Sequence, residues 1–252
     1  MNIQLSDHFN YKKLFLFTLP SVVMMVFTSV YCVVDGFFVS NFAGKTAFAA
    51  INLIMPFIMI LGGIGFMIGT GGSALVSYTL GTGDKEKANR YFSMLVYFTI
   101  LAGILLTVLG IIFVRPIAEL FGADESMMDT CVLYGRIVIA FNVAFMLQNI
   151  FQSFFVVAEK PRLGLIVTIA AGVTNMVLDA LFVGVFKWGI VGAALATGIS
   201  QSIGGLLPLL YFALPNNSPL QLTRTGFELA PLLKASSNGC SELMSNVASS
   251  LI

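Results

Sequence analysis

The sequence predicts an all-α polytopic membrane protein, a six-helix transmembrane lobe followed by the start of a seventh helix. Three observations lead there. Of 252 residues, 58% are hydrophobic and only 10% charged, where soluble domains carry about 25% charged residues. Mean hydropathy is +0.94, so much of the surface faces something other than water. The apolar residues also fall into runs of the roughly 20 residues that carry a helix across a hydrocarbon core. Disorder is excluded by the same hydrophobicity. Nucleic-acid binding is excluded by 13 basic against 12 acidic residues, a net charge of +1 with no concentrated basic face.

The runs lie near 14–40, 47–80, 91–114, 131–157, 163–186 and 189–213, with a seventh near 232–252 cut short by the chain end. The expected organisation is a cytoplasmic N-terminus at 1–13, the lobe at 14–213, a cytoplasmic inter-lobe linker at 214–231 and a truncated seventh helix at 232–252. The first run is longer than a signal-peptide core and lacks a small-residue cleavage signature, so it reads as a retained helix. Polar turns separate the runs, among them Gly81-Thr82-Gly83-Asp84, Phe121-Gly122-Ala123-Asp124-Glu125, Glu159-Lys160-Pro161-Arg162 and Pro215-Asn216-Asn217-Ser218-Pro219. None is long enough for a second soluble domain.

Orientation follows from Lys and Arg in short loops. With the N-terminus inside, nine basic residues are cytoplasmic (Lys12, Lys13, Lys85, Lys87, Arg90, Lys160, Arg162, Arg224 and Lys234). Four lie on the opposite side (Lys45, Arg115, Arg136 and Lys187). The bias puts the N-terminus in the cytoplasm and the protein in the inner or plasma membrane.

Function is sought where polarity conflicts with lipid. Asp35 lies toward the outer end of the first run and Asp179 in the fifth. An aspartate at the centre of a membrane helix costs about 2.5–3.5 kcal/mol on insertion scales and usually marks an ion or substrate path. Asn175 is one turn before Asp179 and on the same helix face. Counted from the outer helix ends at 1.5 Å per residue, Asp35, Asp179 and Thr197 agree in depth within about 6 Å. Carboxylate, amide and hydroxyl oxygens suit a hard cation such as Na⁺, and an apolar setting favours the neutral, proton-carrying form of a carboxyl. Polar groups also serve simply as hydrogen bonds between helices, a role less suited to the two aspartates than to Asn175 or Thr197.

The fourth run offers Gln148 and Gln152 on one face and Asn149 and Ser153 on another, either lining the same cavity or tying helices together. Glu242, in the seventh run, is a third candidate carboxylate. Phe37, Met146, Phe151 and Phe154 either face a drug-binding cavity or face lipid. Pro20 interrupts the first run and is either a hinge or a static kink.

Other motifs carry no chemistry. Gly62-Gly63-Ile64-Gly65 through Gly69-Thr70-Gly71-Gly72 lacks the Lys-Ser/Thr of a phosphate loop, so its small residues are expected to allow close helix crossing. Gly81-Thr82-Gly83-Asp84 matches the GxGD of intramembrane aspartyl proteases, but no Tyr-Asp pair accompanies it. His8 is the only histidine, and Cys32, Cys131 and Cys240 have no CxxC spacing, which leaves no zinc site, disulfide framework or protease centre. No enzyme and no cofactor are expected.

Leu19-Pro20, Asp35, Gly81-Thr82-Gly83-Asp84, Asn175-Met176-Val177-Leu178-Asp179 and Gly189-Ile190-Val191-Gly192-Ala193-Ala194-Leu195-Ala196-Thr197 together resemble the multidrug and toxic compound extrusion (MATE) family, over the whole chain. The resemblance implies a twelve-span carrier of two lobes that exports cationic, aromatic drugs in exchange for H⁺ or Na⁺. It implies a cation site at the positions of Asp35, Asn175, Asp179 and Thr197, joined by a polar residue near Gln152 or Ser153. Ser241-Glu242 resembles the bacterial multidrug branch, which implies a coupling role for Glu242. Members run to roughly 450 residues, so this chain reads as an N-terminal lobe whose missing C-terminal lobe is a required partner. The fragment alone is not expected to transport, because alternating access rocks two lobes about a central site.

Two other readings remain at this point. A lipid-linked oligosaccharide flippase of the same superfamily would hold a pyrophosphate with Arg or Lys in its cavity, and the sequence has no basic residue deep in a run. The other is a membrane assembly subunit that does not transport.

Overall fold

A computed structural model describes residues 11–251, with no side-chain surroundings for residues 43, 250 and 251. The stretch up to residue 10, including His8, lies outside the described residues. Eight α-helices follow: α1 (Tyr11–Phe38), α2 (Lys45–Gly81), α3 (Lys85–Leu120), α4 (Glu125–Ala140), α5 (Asn142–Val157), α6 (Pro161–Asp179), α7 (Gly189–Ala213) and α8 (Leu229–Leu251). No strand occurs among the described residues. The protein is therefore an all-α polytopic membrane protein. Helix α1 already includes Lys12 and Lys13, so the boundary expected after residue 13 falls inside a helix.

Five helical stretches are each long and apolar enough to span a bilayer, and α4 with α5 makes a sixth, bent by 55° at Phe141. The expected fourth span is thus a broken one. Its break has no Pro or Gly to announce it: Phe141 adopts φ −96°, ψ 7° and ends the hydrogen-bonded run of α4. Arg136, assigned above to an outer loop, is an exposed residue of α4 itself. Helix α8 is amphipathic and falls outside the spanning set.

Turn chemistry accounts for the helix ends. Asp84 caps α3 by accepting the Lys87 amide at 3.0 Å. Asp124 caps α4, accepting the Met127 amide at 3.0 Å and the Ser126 hydroxyl at 2.7 Å. Those bonds hold the Asp124 carboxyl below the usual carboxylate range. Pro161 begins α6, where its missing N–H is an orphan in any case. Helix α1 continues through Pro20, which is buried.

Two apolar cores hold the bundle. One, toward the Gly81–Asp84 turn, centres on Phe92, which meets Phe154 at 4.8 Å and Phe212 at 5.1 Å, all fully buried. Phe151 and Phe154 belong to this core, and Met146 is also fully buried. These three are packing residues rather than cavity liners; hydrophobicity alone does not tell which side of a helix is inside. The second core, at the opposite end, includes Ile54, Tyr134, Val138, Val183 and Ala193.

The glycine run of α2 does what its composition suggests. A Cβ on Gly65 would come within 2.7 Å of the Met146 carbonyl oxygen, and one on Gly69 within 2.9 Å of the Ile150 Cα. On another face of α2, a Cβ on Gly71 would collide with the Ala235 carbonyl oxygen of α8. Reciprocally, one on Gly239 of α8 would collide with the Met67 carbonyl oxygen. Helices α2 and α8 therefore cross backbone to backbone, and Lys234 of α8 sits over the Tyr78 ring at 5.7 Å.

The segment between α7 and α8, expected as a linker, is an ordered strap along α3. Asn89 and Ser93, one turn apart, accept the amides of Gln221 (2.9 Å) and Thr223 (2.8 Å), and Tyr97, a turn further, donates to the Thr223 carbonyl at 3.3 Å. Leu220 is fully buried beneath it. Ser93→Ala is expected to lower stability by about 1 kcal/mol. Amide exchange at Thr223, measured by mass spectrometry, should accelerate while that in the middle of α3 stays unchanged.

Candidate cation site

Both aspartates sit where an α-helix widens. Asp179 is the last residue of α6, directly before a π-helical stretch at Ala180–Val185; Asp35 is four residues before another at Val39–Ala43. Turns of this kind are rare and recur at functional sites. Helix α1 packs on α6, and α6 on α7, which brings the three helices chosen from depth arithmetic together at the second core.

The two carboxyls are near enough for each to lie in the other's field. Asp179 is fully buried and Asn175, a turn earlier, is 2% exposed. Asp35 Oδ1, both carboxylate oxygens of Asp179 and Asn175 Oδ1 are buried without a hydrogen-bond partner. Four orphan oxygens in one neighbourhood are unusual, since buried polar groups are nearly always paired. Oxygen-only donors of this kind fit a hard monovalent cation or a shared proton. Thr197 on α7 is half-buried and reaches the hydroxyl of Tyr134, a fully buried α4 residue whose ring lies in the field of both aspartates.

Asp35 also faces outward, into a cavity of about 510 Å³ between α1 and the start of α2, lined by Cys32, Phe37, Ser40, Phe48 and Asn52 among others. The pair is thus buried on one side and reachable on the other. Of the four aromatic and Met candidates, Phe37 alone borders this cavity.

The remaining candidates divide. Gln148, rather than Gln152, approaches the acidic pair's surroundings: its side chain reaches the hydroxyl of Tyr31, one turn before Asp35, and lies against Gly204 of α7. Asn149 turns the other way and donates to the Gly62 carbonyl of α2 at 3.5 Å. Ser153 lies against Gly69 of the same helix. Neither Ser153 nor Gln152 has a hydrogen bond to the pair among the described residues. Glu242 is exposed on α8 rather than buried in a span, while the adjacent Leu243 lies against Gly63 of α2. Tyr134 and Tyr31 join the site only through the structure. Tyr31 carried a readable signal, its i, i+4 spacing from Asp35; an isolated Tyr134 in an apolar helix carried none.

Residues 20–181 match the MatE family model. The chain belongs to the MatE family. Curated proteins similar to this MatE chain include the multidrug export protein MepA of Staphylococcus saprophyticus, 26% identical over 202 residues that cover 80% of this chain and 45% of that protein. MepA of Staphylococcus haemolyticus is 25% identical over 208 residues, 82% of this chain and 46% of that one. The MatE chain spans about half the length of the curated relatives it matches. Among solved structures, it superimposes on a MATE crystallised in complex with MaD3S at a TM-score of 0.88 and 20% identity, covering 95% of this chain and 55% of that one. An outward-facing multidrug resistance MATE family transporter of the MOP superfamily gives a TM-score of 0.87 at 20% identity, covering 95% and 54%. At such identity these two likenesses concern the fold, which is that of one MatE lobe.

Proposed function

We propose that this chain is the ion-coupling lobe of a two-lobe secondary transporter that exports organic cations in exchange for H⁺ or Na⁺. The observation that carries the reading is the pair Asp35 and Asp179, neighbours with buried, unpartnered oxygens. At that separation two bare carboxylates repel strongly out of water, so the pair calls for a proton or a cation between them. Asn175 and Thr197 complete an all-oxygen donor set. The open cavity beside Asp35, with Phe37 and Phe48 in its wall, suits a flat cationic substrate that competes with the coupling ion for the same negative charge. The description of the Staphylococcus relatives as multidrug export proteins supports this substrate class.

In this reading the N-terminus is cytoplasmic and the membrane is the plasma membrane. Inward ion movement is driven by about 2.3 kcal/mol per elementary charge per 100 mV, and Pro20 is the place where α1 bends as the site fills. Gln148 and Tyr31 hold the α1 side of the site, and Glu242 faces the second lobe.

Vesicles carrying the chain together with its second lobe, loaded with a fluorescent cationic dye, test this. A dye efflux that starts on imposing an H⁺ or a Na⁺ gradient is expected, and the effective gradient identifies the ion. Vesicles with the chain alone should retain dye. No efflux under either gradient with both lobes present would overturn the reading.

A further inference from the structure

On the side of the bundle that carries the strap, a second cavity lies far from the aspartates. It encloses about 670 Å³ between the start of α1, the α5–α6 turn and the beginning of the strap. Its wall includes Lys160, Arg162, Asn216 and Asn217, together with apolar Phe17 and Pro20. A groove of about 380 Å³ continues from it along α1 and α6, sharing Leu16, Pro20, Arg162 and Ile166 and adding Leu19, Val23 and Leu165. That groove faces the bundle's exterior: Leu19 is 38%, Val23 41% and Ile166 61% exposed.

We infer that the Lys160/Arg162 chamber and the α1–α6 groove form a binding site for an anionic phospholipid, the head in the chamber and an acyl chain along the groove. Two basic side chains and two amides sit at the polar end, and aliphatic side chains line the other. This is the charge and polarity profile of one anionic amphiphile rather than of a soluble anion or a neutral hydrocarbon. Basic pockets between membrane helices on the cytoplasmic side hold phosphate headgroups in this way. Among the described residues, Glu159 is the one carboxylate in the chamber wall, against the two basic side chains. The turn that brings Lys160 and Arg162 there is a strained one. Glu159 adopts φ 58°, unusual for a residue with a side chain, and the Lys160 amide is tied to the Phe155 carbonyl at 2.8 Å. Both residues also count among the basic charges that set the orientation. The inference goes beyond export: it concerns a lipid bound against the Pro20 region of α1, and only the name of the leaflet rests on the orientation proposed above.

Native mass spectrometry of the detergent-purified chain, titrated with phosphatidylglycerol or with phosphatidylcholine of the same acyl chains, tests it without any transport readout. Phosphatidylglycerol is expected to bind at least about tenfold more tightly than phosphatidylcholine. Lys160→Ala/Arg162→Ala should abolish that preference, Ile166→Asn should weaken both lipids, and Lys85→Ala/Lys87→Ala, on the same side of the bundle, should leave the preference intact. Equal binding of the two lipids by the unmodified chain would overturn the inference. So would a preference that survives the loss of Lys160 and Arg162, displacement of the lipid by millimolar glycerol 3-phosphate, or a groove that fills by pairing two copies of the chain, seen as a dimer in the same spectra.

Discussion

Asp179→Asn is expected to reduce gradient-driven dye efflux by the two-lobe protein to the leak of protein-free vesicles while leaving the fold intact. Asparagine has the shape of aspartate but carries no charge to be neutralised by a proton or Na⁺, so the ion gradient loses its point of attachment. Both Asp179 carboxylate oxygens are buried without partners, and such a group destabilises a fold. The thermal midpoint of Asp179→Asn should therefore equal or exceed that of the unmodified protein, which separates loss of coupling from loss of structure. Asp35→Asn should give the same result. The double variant should be no worse than either single one, because two groups that share one ion act as a unit and their effects do not add. Efflux above half the unmodified rate in Asp179→Asn would remove this pair from the coupling mechanism.

The largest effect on stability is expected from Gly71→Leu. The new side chain would begin inside the space of the Ala235 carbonyl and within 2.6 Å of the Gly239 amide nitrogen. Both are helix backbone, which cannot rotate away as a side chain can. Overpacking of this kind costs about 1–3 kcal/mol and sometimes more, and here relief requires α8 to leave α2. Limited proteolysis should then cut within the strap and α8, with a lowered thermal midpoint. Gly81→Ala, at the end of the same helix, is the matching control: a Cβ there meets nothing within 4 Å. It should be neutral, or stabilising by up to about 1 kcal/mol through helix propensity. An undisturbed α8 in Gly71→Leu would mean that the crossing is looser than it looks.

Much of this molecule was legible in the sequence because lipid imposes a strong filter on it. The six spanning segments follow from hydrophobic length alone. The meeting of Asp35 with Asp179 followed from charge in the wrong solvent plus a count of helical rise. The unreadable parts are those that depend on which neighbour a side chain meets. Phe151 and Phe154 could not be told from cavity liners, since an aromatic ring is equally apolar in either role. Gln148 and Gln152 share a helical face, and only the approach of Tyr31 and Gly204 chooses between them. The bend at Phe141 arises without Pro or Gly, and the π turns after the two aspartates have no residue signature. Asn89, Ser93 and Tyr97 looked like ordinary polar residues at a helix end until the strap supplied their partners.

The glycine crossing between α2 and α8 also changes where the protein divides. Chain connectivity draws the boundary after α7, at the start of the strap. Mechanically the boundary lies further along. The strap is bonded to α3 and α8 is locked onto α2, so both travel as passengers of the first lobe. If the proposed second lobe rocks against this one, the pivot is expected at joints beyond Gly239. In the transporter proposed above, the moving unit would therefore be six spans, a strap and at least the first half of the next helix.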